Sequence, residues 1–201
     1  KKLLGMESEL HKRIIGQDEA TQNIALAVYD HCVTTAYNEK HKLEQGFQPL
    51  EKNNILMYGP TGCGKTEIVR QLGRMLHLPV VIFDTTNLSA ASYKGRNVDA
   101  IMADLYAVAK DNLEMAAHGI VFLDEFDKMF CHWDGDSRLA VLQELLRVIE
   151  GGTLEFQAPH QGTIKINTDG ILFICGGAFT ALDDIIRARL NRKNHKGQTA
   201  I

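Results

Sequence analysis

The sequence predicts an α/β fold: a three-layer αβα arrangement with a parallel core sheet, to which a small β-hairpin is added. Short apolar runs alternate with helical patterns along most of the 201 residues. These runs are apolar at every position rather than at every second one, which is typical of parallel strands covered by helices on both faces. Because 45% of the residues are hydrophobic, the chain can bury a sizeable core.

The individual elements follow from the spacing of apolar residues and from the polar stretches between them. In one helix, Leu139, Leu142, Leu146 and Ile149 recur three or four positions apart, and we expect them to face inward. In chain order the sequence predicts a helix over 18–37, a surface loop over 38–53, a buried strand over 54–58, a helix over 65–77, a strand over 80–84, a helix over 97–117, a strand over 119–124, a helix over 137–150, a hairpin from 153–156 and 163–167, a strand over 171–175 and a helix over 180–193.

Composition and charge argue against several classes of protein. The formal net charge of -3 gives no electrostatic support for general binding to nucleic acid or to a membrane surface. No apolar run reaches the roughly 18 residues that a membrane span needs. The four cysteines are scattered and form no CxxC pair, so we expect neither a structural zinc site nor a disulfide framework. This cysteine usage fits a reducing compartment, and we expect a cytoplasmic protein.

A glycine-rich segment, GPTGCGKT at 59–66, fits the pattern G-x-x-x-x-G-K-[ST] between a predicted strand and a predicted helix. Such a loop turns its backbone N–H groups toward phosphate oxygens, and the helix N-terminus adds partial positive charge. Lys65 is expected to reach the β- and γ-phosphates, and Thr66 to offer its hydroxyl to Mg²⁺. The alternative, a chance glycine-rich turn, is disfavoured by the two flanking elements. The predicted phosphate-binding residues are Gly59, Pro60, Thr61, Gly62, Cys63, Gly64, Lys65 and Thr66.

A second motif, IVFLDEFDK at 120–128, is an apolar strand that ends in acidic residues. At that strand end Asp124 can hold the shell of Mg²⁺, and Glu125 can orient and activate a water for attack on the γ-phosphate. The catalytic residues predicted here are therefore Glu125 and Lys65, with ATP and Mg²⁺ as cofactors. Asp127, the third acid, is expected to be a surface residue or a helix cap.

These motifs resemble, in the same order, those of the AAA+ ATPases and among them the ClpX-like unfoldases. The resemblance covers nearly the whole chain from Ile14 onward and is most specific in the last of its segments. The matching segments are IIGQDEATQNIALAVYDH (14–31), GPTGCGKT, FLDEFDK, LLRVIEGG (145–152) and ILFICGGAF (171–179).

The resemblance implies further roles for single residues. Ile14 and Ile15 would contact adenine, although simple core packing explains them equally well. A polar sensor residue would fall near Cys175 or Gly176. Within SYKG (92–95), Tyr93, Lys94 and Gly95 would form the pore loop that grips a substrate polypeptide. The alternative is a tyrosine packed against its own domain.

The resemblance also implies partners, and it shows departures. Family members work as homo-hexamers that thread protein substrates into a ClpP-like peptidase, with neither nucleic acid nor membrane as partner. Here Lys94 replaces a small apolar residue, and a short FCHWDGDS (130–137) with Trp133 stands where the family has a longer second pore loop. Residues 1–201 are expected to be the large nucleotide-binding subdomain, ending before its last strand, its arginine finger and the C-terminal helical subdomain. The final Ile201 either begins a peptidase-docking tripeptide or belongs to a simple basic tail.

Three functions remain open on the sequence. The resemblance favours an ATP-dependent protein unfoldase and translocase. A nucleic-acid-remodelling or clamp-loader-like AAA+ ATPase would share both nucleotide motifs, and Lys94 and Arg96 beside Tyr93 are the only hint of it. A non-motor module that binds ATP without hydrolysing it in isolation is the third.

Overall fold

The computed structural model describes residues 2–88, 97–130, 136–159, 161–180, 182 and 186–190. Its strands and helices alternate as the sequence predicts. The strands are β1 (Ile55–Tyr58), β2 (Val80–Asp84), β3 (Ile120–Asp124), β4 (Thr153–Ala158), β5 (Gly162–Asn167) and β6 (Leu172–Gly177). The helices are α1 (Lys2–Arg13), α2 (Asp18–His41), α3 (Lys65–Leu76), α4 (Val98–Val108), α5 (Leu113–Ala116) and α6 (Asp136–Glu150).

Four strands form a parallel sheet in the order β1-β6-β3-β2, and β4 pairs with β5 as an antiparallel hairpin. Neighbouring residues of β3 point to opposite faces of the sheet. Phe122 packs into a cluster with residues of α1, α2 and α3. Leu123 packs into a second cluster with residues of α4, α6 and the hairpin. The sheet is therefore the middle of three layers, which confirms the predicted fold class.

The prediction of one continuous helix over 97–117 is wrong, because the structure has two helices in this range. α4 ends at Val108, and beyond its C-cap Ala109 the residues Lys110 and Asp111 have φ of 56° and 61°. Left-handed backbone interrupts the ladder of i to i−4 hydrogen bonds, so the helix cannot continue. Asn112 then caps α5 through its side chain, which accepts a hydrogen bond from the backbone N–H of Met115 at 3.0 Å.

The predicted loop over 38–53 begins too early, because α2 continues to His41. The ring of His41 lies 4.4 Å from that of Tyr37, one turn earlier, between ring centroids. Asn38, in the last turn of this helix, exchanges two hydrogen bonds with the backbone of Leu50 in the following loop, at 2.8 and 2.9 Å. The helix α1, which the sequence analysis does not assign, packs on α2 and α3 through the buried Leu10.

Two expectations about burial are wrong. From 139 onward in α6 the buried residues are Val141, Leu142, Leu145, Val148 and Ile149, whereas the predicted inward residues Leu139 and Leu146 are exposed. The strand β1, predicted to be buried, pairs only with β6 among the described strands. Its Leu56 and Tyr58 are exposed.

Of the predicted helix over 180–193, residues 182 and 186–190 are described and helical. None of the helices in the described ranges is both long and apolar enough to cross a membrane.

Candidate nucleotide-binding site

The glycine-rich loop 59–66 connects β1 to α3 at the carboxyl end of the parallel sheet. The N–H of Gly59 donates to the carbonyl of Gly177 at the end of β6, 3.2 Å away, which fixes the start of the loop. Gly62 and Gly64 have φ of 82° and 97°, a conformation that L side chains rarely adopt. The loop therefore has the sharp turn that precedes an anion-binding helix N-terminus.

Lys65 is bonded to its own loop. Its Nζ donates to the carbonyl oxygens of Gly59 at 2.7 Å and Pro60 at 3.0 Å, and lies 3.9 Å from the Sγ of Cys63. These carbonyls keep the ammonium over the loop, where it is only partly buried. A phosphate oxygen offers such a cation a stronger, charge-assisted partner than a carbonyl does.

Thr66 and Asp124 meet across the site. The Thr66 hydroxyl donates to Oδ2 of Asp124 at 2.9 Å, although 58 residues separate the two in sequence. A hydroxyl and a carboxylate at this distance are the oxygen ligands that Mg²⁺ takes from a protein while keeping several waters. The two residues predicted as magnesium ligands are thus brought together.

Glu125 follows Asp124 at the end of β3 and has a left-handed φ of 54°. Its N–H donates to Oδ1 of Asp124 at 3.0 Å, and its carbonyl accepts from the N–H of Lys128 at 2.9 Å. The buried Thr85 places its Oγ1 3.0 Å from the carbonyl oxygens of both Asp124 and Glu125. Thr85 could not be identified from sequence, because no local motif marks a hydroxyl that acts across two strands.

The expectation that Asp127 lies at the surface is wrong, since this residue is only 6% exposed. Its carboxylate accepts from the N–H groups of Ala178 and Phe179, each at 3.3 Å. A Cβ added at Gly177 would come within 2.5 Å of this carboxylate, so the glycine makes room for it. Asp127 therefore ties the segment after β3 to the segment after β6.

The predicted sensor positions are occupied by residues without an available polar side chain. Burial raises the pKa of the Cys175 thiol to about 12, so the thiolate is strongly disfavoured. Gly176 faces the ring of Phe122, and a Cβ there would lie 2.4 Å from the ring. The role of a sensor at these two positions stays a prediction.

Two cavities adjoin the loop, and Lys65 lines both. The first has a volume of about 250 Å³ and brings together Thr66, Asp124 and Glu125. Its full lining is Thr61, Gly62, Gly64, Lys65, Thr66, Glu67, Arg70, Asp124, Glu125, Gly177 and Ala178. The second is a larger cleft of about 840 Å³ between α2, β1 and the loop. A polar cavity beside an open, more apolar cleft matches the two ends of a nucleotide.

The predicted adenine contacts are not among the described residues that line the cleft. Ile14 is 7% exposed and packs in the core with Leu10 and Ile24, whereas Ile15 is 93% exposed. The next two residues in sequence, Gly16 and Gln17, do line the cleft. The Gln17 side chain also donates to the carbonyl of Cys63 at 3.2 Å, which joins this segment to the glycine-rich loop.

Several predicted residues lie outside the described ranges. They are Tyr93, Lys94 and Gly95 of the predicted pore loop, Arg96, Trp133 and the C-terminal Ile201.

A parallel αβα sheet with this loop at its carboxyl end has the architecture of nucleotide-binding P-loop domains. Residues 50–201 match the family described as AAA domain (Cdc48 subfamily), and the chain belongs to this family. Family membership implies the use of nucleotide and Mg²⁺ and supports ATPase activity in general.

Curated relatives narrow the likeness to one type of AAA protein. The chain is 38% identical over 199 residues to the "ATP-dependent Clp protease ATP-binding subunit ClpX" of Borrelia duttonii, which covers 93% of this chain and 46% of that protein. The proteins of the same name from Bacteroides fragilis and Porphyromonas gingivalis are 38% and 36% identical, over 90% and 92% of this chain and 46% and 47% of theirs. The chain is thus similar to ClpX and spans about half the length of these relatives.

Proposed function

We propose that this chain is the large nucleotide-binding portion of an ATP-driven protein unfoldase and translocase of the Clp type. The observation that carries the proposal is the gathering of Lys65, Thr66, Asp124 and Glu125 around one cavity. The similarity to ClpX over 93% of the chain supports the choice of a protein substrate.

In this proposal the triphosphate of ATP lies along the loop 59–66 and the adenosine enters the cleft beside Gln17. Lys65 exchanges the carbonyls of Gly59 and Pro60 for phosphate oxygens, so the cation moves only within its own loop. Thr66 and Asp124 hold Mg²⁺, which neutralises charge on the phosphates when it is bound.

Glu125 acts on the attacking water. It lines the same cavity as Thr66 and Asp124, and its backbone is fixed on both sides by hydrogen bonds. A carboxylate held there can accept a proton from a water as the water attacks the γ-phosphate in line. Arg70, which also lines this cavity and whose Nη1 lies 3.7 Å from Oε2 of Glu67, adds positive charge near the phosphates.

We further propose that Tyr93, Lys94 and Gly95 contact the substrate polypeptide in a pore formed by six subunits. This follows from the resemblance of SYKG to the family's pore loop. A tyrosine suits the role because it offers a large, stiff surface at low entropic cost. The names of the relatives support a peptidase of the Clp type as the partner of the assembled protein.

The test uses the full-length protein with ATP, a ClpP-type peptidase and a tagged, stably folded substrate. Glu125→Gln should keep ATP binding but lower hydrolysis by about 10²–10⁴-fold, because an amide cannot act as a base. Tyr93→Ala should leave ATP binding intact and impair unfolding far more than hydrolysis. ATP-dependent unfolding by the parent with these two outcomes supports the proposal.

Two results would contradict it. A parent that hydrolyses ATP but never unfolds the substrate would leave an ATPase of another kind, and a nucleic-acid substrate should then be tried. Parental hydrolysis in Glu125→Gln would remove this residue from the chemistry.

A further inference from the structure

We propose that Thr85 is a positioning residue for ATP hydrolysis, because its hydroxyl fixes the backbone of Glu125 in the conformation that directs the carboxylate. This inference rests on the proposed function, since it assumes that Glu125 activates the attacking water. Thr85 itself need not touch nucleotide, and it is absent from the lining of both cavities.

The geometry around Glu125 carries the inference. The carbonyl of Asp124 belongs to the peptide unit before the Cα of Glu125, and the carbonyl of Glu125 to the unit after it. The Oγ1 of Thr85 lies 3.0 Å from both oxygens, so a single hydroxyl contacts both peptide units. Rotation about either backbone bond of Glu125 would pull at least one oxygen away from the hydroxyl.

The conformation held in this way is an unfavourable one. Glu125 has a φ of 54°, and left-handed backbone is unfavourable for a residue with a Cβ. Such conformations persist where the surroundings fix them, and they are frequent at functional sites. The hydroxyl of Thr85 is one such restraint. The hydrogen bonds from the N–H of Glu125 to Asp124 and from Lys128 to the carbonyl of Glu125 are others.

Thr85 is itself buried and lies directly after a strand, which suits a restraint. It is 1% exposed, and it opens the short 3₁₀ turn Thr85–Asn87 directly after β2. The preceding Asp84 pairs in register with Asp124 on β3. The pairing of β2 with β3 therefore places the hydroxyl of Thr85 beside the end of β3, where Asp124 and Glu125 lie.

The experiment compares Thr85→Val with Thr85→Ser in the full-length protein. Valine keeps the shape of threonine and removes the hydroxyl, and serine restores the hydroxyl. We expect Thr85→Val to lower ATP hydrolysis about 10–100-fold, since small misplacements of a catalytic group have effects of this size. ATP affinity should stay within about 3-fold of the parent, and Thr85→Ser should recover most of the hydrolysis.

Thr168→Val is the matched control. Thr168 is also 1% exposed, and its hydroxyl lies 3.0 and 3.2 Å from the carbonyls of Val148 and Gly152. It stands before β6, at the other end of the sheet from the nucleotide loop. Removing its hydroxyl should cost similar stability in a thermal melt and leave hydrolysis at the parental level.

The outcomes separate the inference from the function on which it rests. If Glu125→Gln abolishes hydrolysis while Thr85→Val equals the parent, the inference is wrong and the proposed function stands. If Thr85→Val and Thr168→Val lower hydrolysis equally, the effect is one of stability and the inference is again wrong. A parent without ATP hydrolysis overturns both.

Discussion

Two lysines at opposite ends of the parallel sheet bind backbone carbonyls in different ways. Lys65, at the carboxyl end, donates to carbonyls five and six residues away in its own loop. Lys52, at the other end, donates to the carbonyl of Thr168 at 2.8 Å, 116 residues away, and lies 4.9 Å above the ring of Phe173. Burial lowers the pKa of Lys52 to about 8.

The two lysines differ in how far along the chain their hydrogen-bond partners lie: those of Lys65 are local and that of Lys52 is distant. The contacts of Lys52 belong to a group that joins distant segments at that end of the sheet, where Asn54 also bonds the carbonyl of Ile149 and His31 that of Gly170. Breaking them loosens the fold. The contacts of Lys65 constrain only one loop, so a ligand can replace them at little cost to the fold. Hydrogen bonding to carbonyls thus marks a structural lysine only when the carbonyls are distant in sequence.

Lys65→Ala should have the largest effect, and it should lower the affinity for ATP without lowering the stability of the fold. Loss of a cation that bonds the phosphates should weaken ATP binding about 100-fold or more, because charge-assisted hydrogen bonds contribute about 1.5–3 kcal/mol each. Titration with a fluorescent ATP analogue measures this. The melting temperature without nucleotide should match the parent, and Lys165→Ala on the exposed face of the hairpin is the control. Parental affinity in Lys65→Ala would remove this residue from the site.

Lys52→Met should show the opposite pattern. It keeps most of the aliphatic stem and loses the hydrogen bond to Thr168 and the contact of the charge with Phe173. We expect a loss of about 1–2 kcal/mol in the free energy of unfolding, measured by chemical denaturation, with ATP affinity unchanged. Lys42→Met, on an exposed ion pair with Glu39, should change stability by less than about 0.5 kcal/mol. If Lys52→Met lost ATP binding and kept its stability, the structural role assigned to Lys52 would be wrong.

Substitution of His31 should have the smallest effect, and this effect should be a change in how the stability of the fold depends on pH. The residue is 4% exposed, its Nε2 lies 3.1 Å from the carbonyl of Gly170, and its Nδ1 has no hydrogen-bond partner within the described part of the chain. Burial lowers the pKa of His31 below its ordinary value of 6.5, with Lys52 and His118 acting in the same direction and Asp30 and the carbonyl of Gly170 against it.

The lowered pKa of His31 determines whether stability rises or falls with pH. Above pH 6.5 His31 is neutral in both states and its contribution is complete, whereas below pH 6.5 the unfolded chain binds a proton that the folded chain resists. Stability should therefore fall as the pH drops, by at most about 1.4 kcal/mol per pH unit from this residue. His31→Gln, which can still donate to Gly170, should flatten the profile measured between pH 7 and pH 5. The exposed His77→Asn should leave the slope unchanged. Equal slopes in the parent and His31→Gln would contradict this account.

Local patterns predict much of this molecule. The parallel strands, the hairpin and the loop 59–66 follow from runs and spacings that neighbouring residues define. Asp124 and Glu125 could be assigned because a strand end fixes where they lie. The break at Lys110 and Asp111 could not, since neither glycine nor proline marks it.

The remaining misses share a long-range cause. The burial of Asp127 depends on the backbone of Ala178 and Phe179, about fifty residues later in the chain. The structural role of Lys52 and the placement of Thr85 similarly depend on partners brought near by the sheet. No single segment of sequence carries that information.

The exposed strand β1 has a practical consequence for handling the protein. Leu56 and Tyr58 are 55% and 71% exposed, on a strand with one neighbour in the described part of the chain. Backbone groups along such an edge can pair with any extended segment, including the same strand of another molecule. Concentrated samples of this portion on its own should therefore aggregate with time and with heating. Light scattering before any assay would distinguish a monodisperse sample from an aggregated one.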